Sequence, residues 1–153
     1  MEFWFANKWY KTDNRSTGMI AVAAGYNHAL FLDEAGKLWG LGFNTSYQLG
    51  IAESRATLIT PHPIPLQMKI VAIACGDYHS VLLDENGFVW AAGENYGGQC
   101  GSRNAAGRGT KQTSFKKIDD IQAAANLSMF LGEDGRVWTC GIIQEIQPVM
   151  RCV

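Results

Sequence analysis

The sequence predicts an all-β protein, an incomplete β-propeller of about three blades of antiparallel strands. Segments 20–50 and 71–101 resemble each other along their whole length without a gap. The 17 glycines and five tryptophans are typical of short strands that tight turns connect. Strands this short must bury their faces against neighbouring sheets, and repetition at a fixed spacing provides those neighbours.

The internal repeat has an offset of 51 residues between its first two copies, which are identical at 13 of 31 positions. Shared pairs include Gly25/Gly76, His28/His79, Asp33/Asp84, Gly36/Gly87, Trp39/Trp90, Gly42/Gly93, Asn44/Asn95 and Gln48/Gln99. A third copy at 121–141 keeps Trp138 but has Leu127 in place of the histidine. We assign 1–153 to one partial propeller domain. Its expected parts are a partial blade 1–19, repeats 20–70 and 71–120, and a degenerate repeat 121–153.

Each complete copy predicts three strands in a fixed order. A first strand of small and β-branched residues precedes a second strand that begins at the histidine. A hairpin turn then ends in Gly36 or Gly87, because glycine readily adopts the positive φ that such turns need. A third strand carries the tryptophan, and we expect the connectors 51–69 and 102–120 to lead to the next copy.

The two complete copies follow one motif at 25–50 and 76–101. It reads Gly-x-x-His-(Ser/Ala)-(Val/Leu)-x-Leu-x-x-x-Gly-x-(Val/Leu)-Trp-x-x-Gly-x-Asn-x-x-x-Gln-x-Gly. This motif resembles the regulator of chromosome condensation repeat. The resemblance implies a propeller fold and a protein-binding role. Members of that family include scaffolds, ubiquitin-ligase modules and an exchange factor for the small GTPase Ran.

The resemblance also suggests which residues bind. In the exchange factor, the loop between the first glycine and the histidine contacts the GTPase, and acidic residues there help to displace the nucleotide. The matching residues here are Tyr26 and Asn27, then Asp77 and Tyr78. Asp77 alone is acidic, so we expect a non-catalytic protein-protein interaction module. The alternative is a guanine-nucleotide exchange factor, or another regulator, of a Ran-like small GTPase.

Three kinds of side chain could be read as sites but have structural explanations. We interpret His28 and His79 as structural, each serving its own blade through a hydrogen bond between neighbouring strands or loops, because they recur in register without a nucleophile motif. Trp39, Trp90 and Trp138 could stack on bases, but their place inside a strand favours the core between blades. Cys75, Cys100 and Cys140 are expected to be buried thiols. We predict no catalytic residue, no metal site and no cofactor.

A basic segment follows the second copy. Arg103, Arg108 and Lys111 could contact phosphate, although a solvated loop is the simpler interpretation. The net charge of −1 makes nucleic acid an unfavoured partner. The prolines of 61–65 could form a proline-recognition ligand, but we favour a stiff connector.

An open arc of blades leaves an apolar sheet face at each end. Burial of roughly 400 Å² there would contribute about 10 kcal/mol. We therefore expect a longer propeller, a homo-oligomer or a partner protein to cover these faces. Residues 3–7 could be the remnant of a preceding blade, or could pair with a C-terminal strand.

The chain shows no apolar run of membrane-spanning length and no signal peptide pattern, so we expect an intracellular protein, cytoplasmic or nuclear.

Overall fold

The computed structural model describes residues 2–5, 8–11, 18–52, 57–101, 111–142 and 151–152, and the side chains of 18–52, 57–101 and 113–142. The described ranges contain β-strands and no helix. Three antiparallel sheets of four strands each account for most of them, as blades do. The predicted fold class, an incomplete all-β propeller, is therefore confirmed.

The strands of each sheet follow one another in chain order. The first blade contains β3 (Met19–Ala24), β4 (His28–Asp33), β5 (Leu38–Phe43) and β6 (Thr57–Pro63). The second blade contains β7 (Ile70–Cys75), β8 (His79–Asp84), β9 (Val89–Gly93) and β10 (Lys111–Gln112). The third blade contains β11 (Ile118–Ala124), β12 (Leu127–Gly132), β13 (Val137–Gly141) and β14 (Arg151–Cys152).

A separate hairpin lies at the N-terminus. Its strands β1 (Glu2–Phe5) and β2 (Lys8–Lys11) pair with each other, Trp4 opposite Trp9. The C-terminal strand β14 pairs with β13. Among the described residues, β1 pairs with β2 and β14 with β13, so the suggestions that residues 3–7 are the remnant of a preceding blade or pair with a C-terminal strand stay predictions.

The outermost strand of each blade was not predicted. Strand β6 lies inside the expected connector 51–69, and β10 lies inside the expected connector 102–120. Prolines normally argue against a strand because they cannot donate to the ladder. Pro61 and Pro63 are tolerated because β6 is the edge of its sheet, where it pairs with β5 alone.

The hairpin turns of the first two blades form as predicted, with φ of 78° at Gly36 and 76° at Gly87. A buried carboxylate organises each turn. Asp33 accepts hydrogen bonds from two turn amides at 3.0 and 2.9 Å and from Trp39 Nε1 at 3.0 Å. Asp84 accepts two at 2.9 and 3.1 Å and one from Trp90 Nε1 at 2.8 Å.

The core lies between blades rather than within one sheet. One cluster joins the first blade to the second and includes Leu30, Leu32, Leu49, Ile64, Cys75 and Leu82. The other joins the second blade to the third and includes Val81, Leu83, Cys100, Phe115, Phe130 and Cys140. Trp90 packs against the former and Trp138 against the latter, which confirms their predicted place. Trp39 belongs to neither cluster of described residues, and Lys37 Nζ lies 4.9 Å from its ring centroid.

Cys75, Cys100 and Cys140 are buried free thiols, as predicted. Burial raises the pKa of Cys75 to about 11 and the pKa values of Cys100 and Cys140 to about 12. Thiols with such values hold little thiolate at neutral pH, so they act as small apolar core residues.

Apolar side chains remain accessible at both ends of the arc. On the first blade, Ile20 and Val22 are 60% and 67% exposed. On the third blade, Met129 and Leu131 are both 40% exposed. In the part of the chain that the structure describes, no helix has the length and hydropathy to cross a membrane.

Replacement of Asp84 by alanine should lower the free energy of unfolding by about 3 kcal/mol, because three hydrogen-bond donors lose their buried charged acceptor. Urea titration followed by tryptophan fluorescence measures the change. Asp134→Ala, at the exposed turn of the third blade, is the matched control and should cost less than about 1 kcal/mol. Equal losses in the two variants would contradict the role given to the buried carboxylate.

Candidate interaction surface

The loops that connect the first and second strands of the blades lie side by side. They are residues 25–27, 76–78 and 125–126. The Tyr26 amide donates to the Asp77 carbonyl at 3.1 Å, and the Asp77 amide donates to the Ala125 carbonyl at 2.9 Å. The three loops therefore form one hydrogen-bonded surface across the blades.

A backbone hydrogen bond from the end of each third strand fixes the loop between the first and second strands of the same blade. The amides of Phe43, Glu94 and Ile142 each donate at 2.9 Å to the carbonyl of the loop residue before the second strand. At the preceding position, Gly93 has φ of 109°, and a Cβ there would collide with the Tyr78 carbonyl oxygen. Only glycine fits this close approach, which explains why Gly42 and Gly93 belong to the repeat motif.

The side chains of these loops differ in accessibility. Tyr26 is 74% exposed, and its ring lies 5.5 Å from the ring of the half-buried Tyr78. Asp77 is also half-buried. The side chain of Asn27 faces inward, where its Oδ1 accepts from Gln48 Nε2 at 3.0 Å. Tyr26, Asp77 and Tyr78 are thus grouped at the surface, whereas Asn27 fixes the neighbouring loop.

A second layer of loops, between the third and fourth strands, extends this surface. Gln48 and Gln99 each accept a backbone amide within their own loop, at 2.8 and 2.9 Å. Asn95 does the same for Cys100 at 2.8 Å. The result is a fixed loop that leaves Tyr96 92% exposed. We name Tyr26, Asp77, Tyr78 and Tyr96, with the partly exposed Phe43 and Ile142, the loop surface.

Sequence reasoning did not single out Tyr96. Its position corresponds to Thr45 in the first copy, so the residue varies between two copies that otherwise align closely. A variable aromatic residue inside a fixed Asn-x-x-x-Gln loop is the signal that could have found it. Phe43 and Ile142 were missed for the same reason, since Glu94 occupies the equivalent position.

A histidine of each of the first two blades reaches a serine of the next blade beneath the loops. His28 Nε2 lies 2.9 Å from Ser80 Oγ, and His79 Nε2 lies 2.8 Å from Ser128 Oγ. Each serine hydroxyl donates its proton to a backbone carbonyl, that of Gln48 at 2.7 Å for Ser80. The histidine must therefore donate through Nε2–H, which leaves Nδ1 as the unprotonated nitrogen. The predicted structural role of both histidines is confirmed, but each hydrogen bond reaches the next blade, whereas the expectation was a bond that serves the histidine's own blade.

Both imidazoles are kept neutral by their surroundings. Burial, together with the nearby His79, lowers the pKa of His28 to about 4. Burial alone lowers the pKa of His79 to about 4. Both Nδ1 atoms are buried without a hydrogen-bond partner in the described structure. Each neutral imidazole already donates through Nε2–H to a serine whose own proton is held by a backbone carbonyl. This arrangement suits a structural hydrogen bond between blades rather than acid-base chemistry.

The basic segment lies mostly outside the described residues. Arg103 and Arg108 fall in the range 102–110, and Lys111 is described only as part of the backbone of β10. Contact of these residues with phosphate therefore stays a prediction. Among the residues with described side chains, no three His, Cys, Asp or Glu cluster as metal ligands do.

Two family models agree with the repeat found in the sequence. Models described as regulator of chromosome condensation (RCC1) repeat match residues 35–83 in one case, and 19–48 and 70–99 in the other. Together the matched residues run from 19 to 99, which is more than half of the chain. The matches coincide with the first two blades.

Similar proteins carry the same repeat. The RCC1-like G exchanging factor-like protein of Mus musculus is 27% identical over 145 residues, which are 79% of this chain and 32% of that protein. The RCC1 domain-containing protein RUG3, mitochondrial, of Arabidopsis thaliana is 30% identical over 135 residues, 84% of this chain and 30% of that protein. The chain thus spans about a third of the length of these curated relatives.

A solved structure supports the arrangement of the blades. Prp20p from Saccharomyces cerevisiae is 27% identical and superposes with a TM-score of 0.73. The match covers 90% of this chain and 34% of that chain. That structure was reported together with the binding properties of Prp20p to Gsp1p and histones.

Acid should weaken the fold through the two buried histidines. Each has a folded-state pKa of about 4 against an ordinary value of 6.5. Between these values the unfolded chain binds more protons, so stability is present above pH 6.5 and is lost as the pH falls toward 4. The loss in the free energy of unfolding should approach about 3 kcal/mol per histidine.

Urea titrations at several pH values test this expectation. His79→Gln should reduce the pH dependence of the free energy of unfolding over that range by about half. The reason is that a glutamine amide can still donate to Ser128 but does not titrate. His62→Gln, at an exposed histidine, should leave the slope unchanged. If His79→Gln does not alter how the free energy of unfolding depends on pH, the role given to the buried histidines is contradicted.

Proposed function

Because the chain belongs to the regulator of chromosome condensation (RCC1) repeat family, we propose that it is a non-catalytic module that binds another protein through its loop surface. The observation that carries this proposal is the pair Tyr26 and Tyr78, whose rings lie in tilted contact across two blades with their centroids 5.5 Å apart. The backbones of both loops are fixed by hydrogen bonds from neighbouring blades.

Physical reasons favour a protein partner. Tyrosine is enriched at interfaces because it offers a large apolar area and a polar end with few rotatable bonds. Backbones that are already fixed lose little conformational entropy on binding. The exposed Tyr96 and the partly exposed Phe43 and Ile142 supply further contact area at the same end of the blades.

Regulation of a small GTPase is the second candidate function. One relative is named as a G exchanging factor-like protein, and Prp20p was studied for its binding to Gsp1p. Asp77 supports this reading, because it places a carboxylate on the loop surface beside two tyrosines. The activity and partners of the longer relatives are properties of whole proteins, so for this chain the exchange role is a proposal.

The cellular compartment also stays a prediction. The sequence predicts a cytoplasmic or nuclear protein, and one relative carries the word mitochondrial in its name. The partner of this chain should therefore be sought in each of these compartments.

Site-specific photo-crosslinking in cells tests the binding role. A photoreactive phenylalanine analogue at position 26 should give a discrete crosslinked band. The same analogue at position 59 should not, because Ile59 is 60% exposed but lies on the outer strand β6. Addition of Tyr78→Ala should reduce the band from position 26 about tenfold. Bands of equal yield from both positions would remove the loop surface from the proposal.

Release of a fluorescent nucleotide from purified small GTPases tests the second candidate. An exchange factor should accelerate release from one member of a panel, and Asp77→Ala should reduce the acceleration about tenfold. Asp134→Ala, at the opposite end of the blades, is the control and should have no effect. Unchanged release from every GTPase, or an Asp77→Ala variant as active as the parent, would exclude exchange through this residue.

A further inference from the structure

A cavity of about 600 Å³ lies at the other end of the blades. It opens between the connector that enters the third blade and the turn that follows β12. Since β12 begins at the loop surface and ends at this turn, the two features are at opposite ends of one strand. Its lining includes Phe115, Lys116, Lys117, Ile118, Gly132 and Trp138.

The first two blades show what normally occupies the equivalent space. There the side chain of Asp33 or Asp84, only 1% and 3% exposed, accepts from the indole of its own blade. The distances to Trp39 and Trp90 Nε1 are 3.0 and 2.8 Å. A buried carboxylate beneath the tryptophan is therefore part of the repeat, and it satisfies the indole N–H.

The third blade lacks this carboxylate. Gly132 pairs with Ile118 as Asp84 pairs with Ile70, so glycine occupies the aspartate position. Trp138 Nε1 has no hydrogen-bond acceptor among the described residues. The adjacent Asp134 does not replace the lost group, since its Oδ1 accepts from the Arg136 amide at 3.0 Å and its Oδ2 lies 3.5 Å from the Arg136 guanidinium.

We propose that this cavity binds an aspartate or glutamate side chain of a partner peptide. That side chain supplies the carboxylate that the third blade lacks, because Gly132 stands at the aspartate position. The carboxylate would accept from Trp138 Nε1, as Asp33 and Asp84 do from their own tryptophans. The apolar part of the ligand would lie against Phe115, whose ring is 6.0 Å from that of Trp138. The proposal does not depend on the loop surface.

The charges around the cavity permit an anion. Lys116 and Lys117 lie on the connector wall, opposite Glu133 and Asp134 of the turn. Arg136 pairs with Asp134 and offsets its charge. The five side chains sum to one positive charge, so the lining does not repel a carboxylate, and the lysines draw it toward the connector.

Nuclear magnetic resonance of the tryptophan indole N–H groups tests the site. The probe is N-acetyl-aspartate N-methylamide, and the matched neutral probe is N-acetyl-asparagine N-methylamide. The aspartate probe should shift the Trp138 indole resonance saturably and leave those of Trp39 and Trp90 in place. The asparagine probe should bind at least tenfold more weakly. Shifts of equal size with both probes, or none at Trp138, would overturn the proposal.

Two variants separate this site from nonspecific binding. Gly132→Asp restores the carboxylate of the other blades and should abolish the saturable shift. A Cβ there would lie 2.8 Å from Asp134 Oδ1, which is the end of an exposed side chain and has room to move. Trp138→Phe keeps a ring but removes the N–H, and should weaken binding of the aspartate probe to Phe115 and Lys117 at least tenfold. Undiminished binding in either folded variant would contradict the site.

A further arm distinguishes the source of the carboxylate. N-acetyl-alanine carries only a C-terminal carboxylate and should bind at least tenfold more weakly than the aspartate probe. Tighter binding of N-acetyl-alanine would overturn the assignment to an acidic side chain and would indicate recognition of a chain terminus.

Discussion

The hydrogen bond from a histidine of one blade to a serine of the next is the interaction on which the described structure depends. His28 and His79 reach Ser80 and Ser128 from beneath the loops. Each serine hydroxyl in turn donates a hydrogen bond to a backbone carbonyl of the preceding blade. The blades are thereby joined by polar contacts of fixed direction at the end where the loops lie. Apolar packing alone has no such direction and would hold neighbouring blades together without fixing the loops.

The loop surface follows from that alignment. Once neighbouring blades are in register, the amide of Tyr26 meets the carbonyl of Asp77, and the amide of Asp77 meets the carbonyl of Ala125. The aromatic side chains are then displayed from a backbone that needs little ordering when a partner arrives. The third blade differs from the others at both ends of β12, with Leu127 for the histidine and Gly132 for the aspartate. The second change leaves Trp138 beside a cavity without the carboxylate that accepts from the tryptophan of each regular blade.

Much of the fold could be predicted because the repeat residues act locally. Turn glycines, the strand tryptophans and the buried cysteines depend on one blade or on one interface, and the register of two copies reveals them. The strands β6 and β10 could not be found, since their stability comes from pairing with β5 and β9 rather than from their own residues. The serine partners of the histidines were also missed, because the first copy has Ala29 there and the pattern shows no constant hydroxyl. Of the predicted binding residues, Asn27 is used internally, and exposure of Tyr96 required the three-dimensional loop.

Hydrogen–deuterium exchange at two amides tests the central claim, that ties between blades fix the loop surface. The amides of Tyr26 and Asp77 are in loops but donate to carbonyls of neighbouring blades. They should therefore exchange as slowly as amides in the centre of β8, and His79→Gln should leave them protected whereas His79→Ala should speed exchange at Asp77. Exchange of both amides in the parent protein at the rate of an unprotected loop would contradict the account.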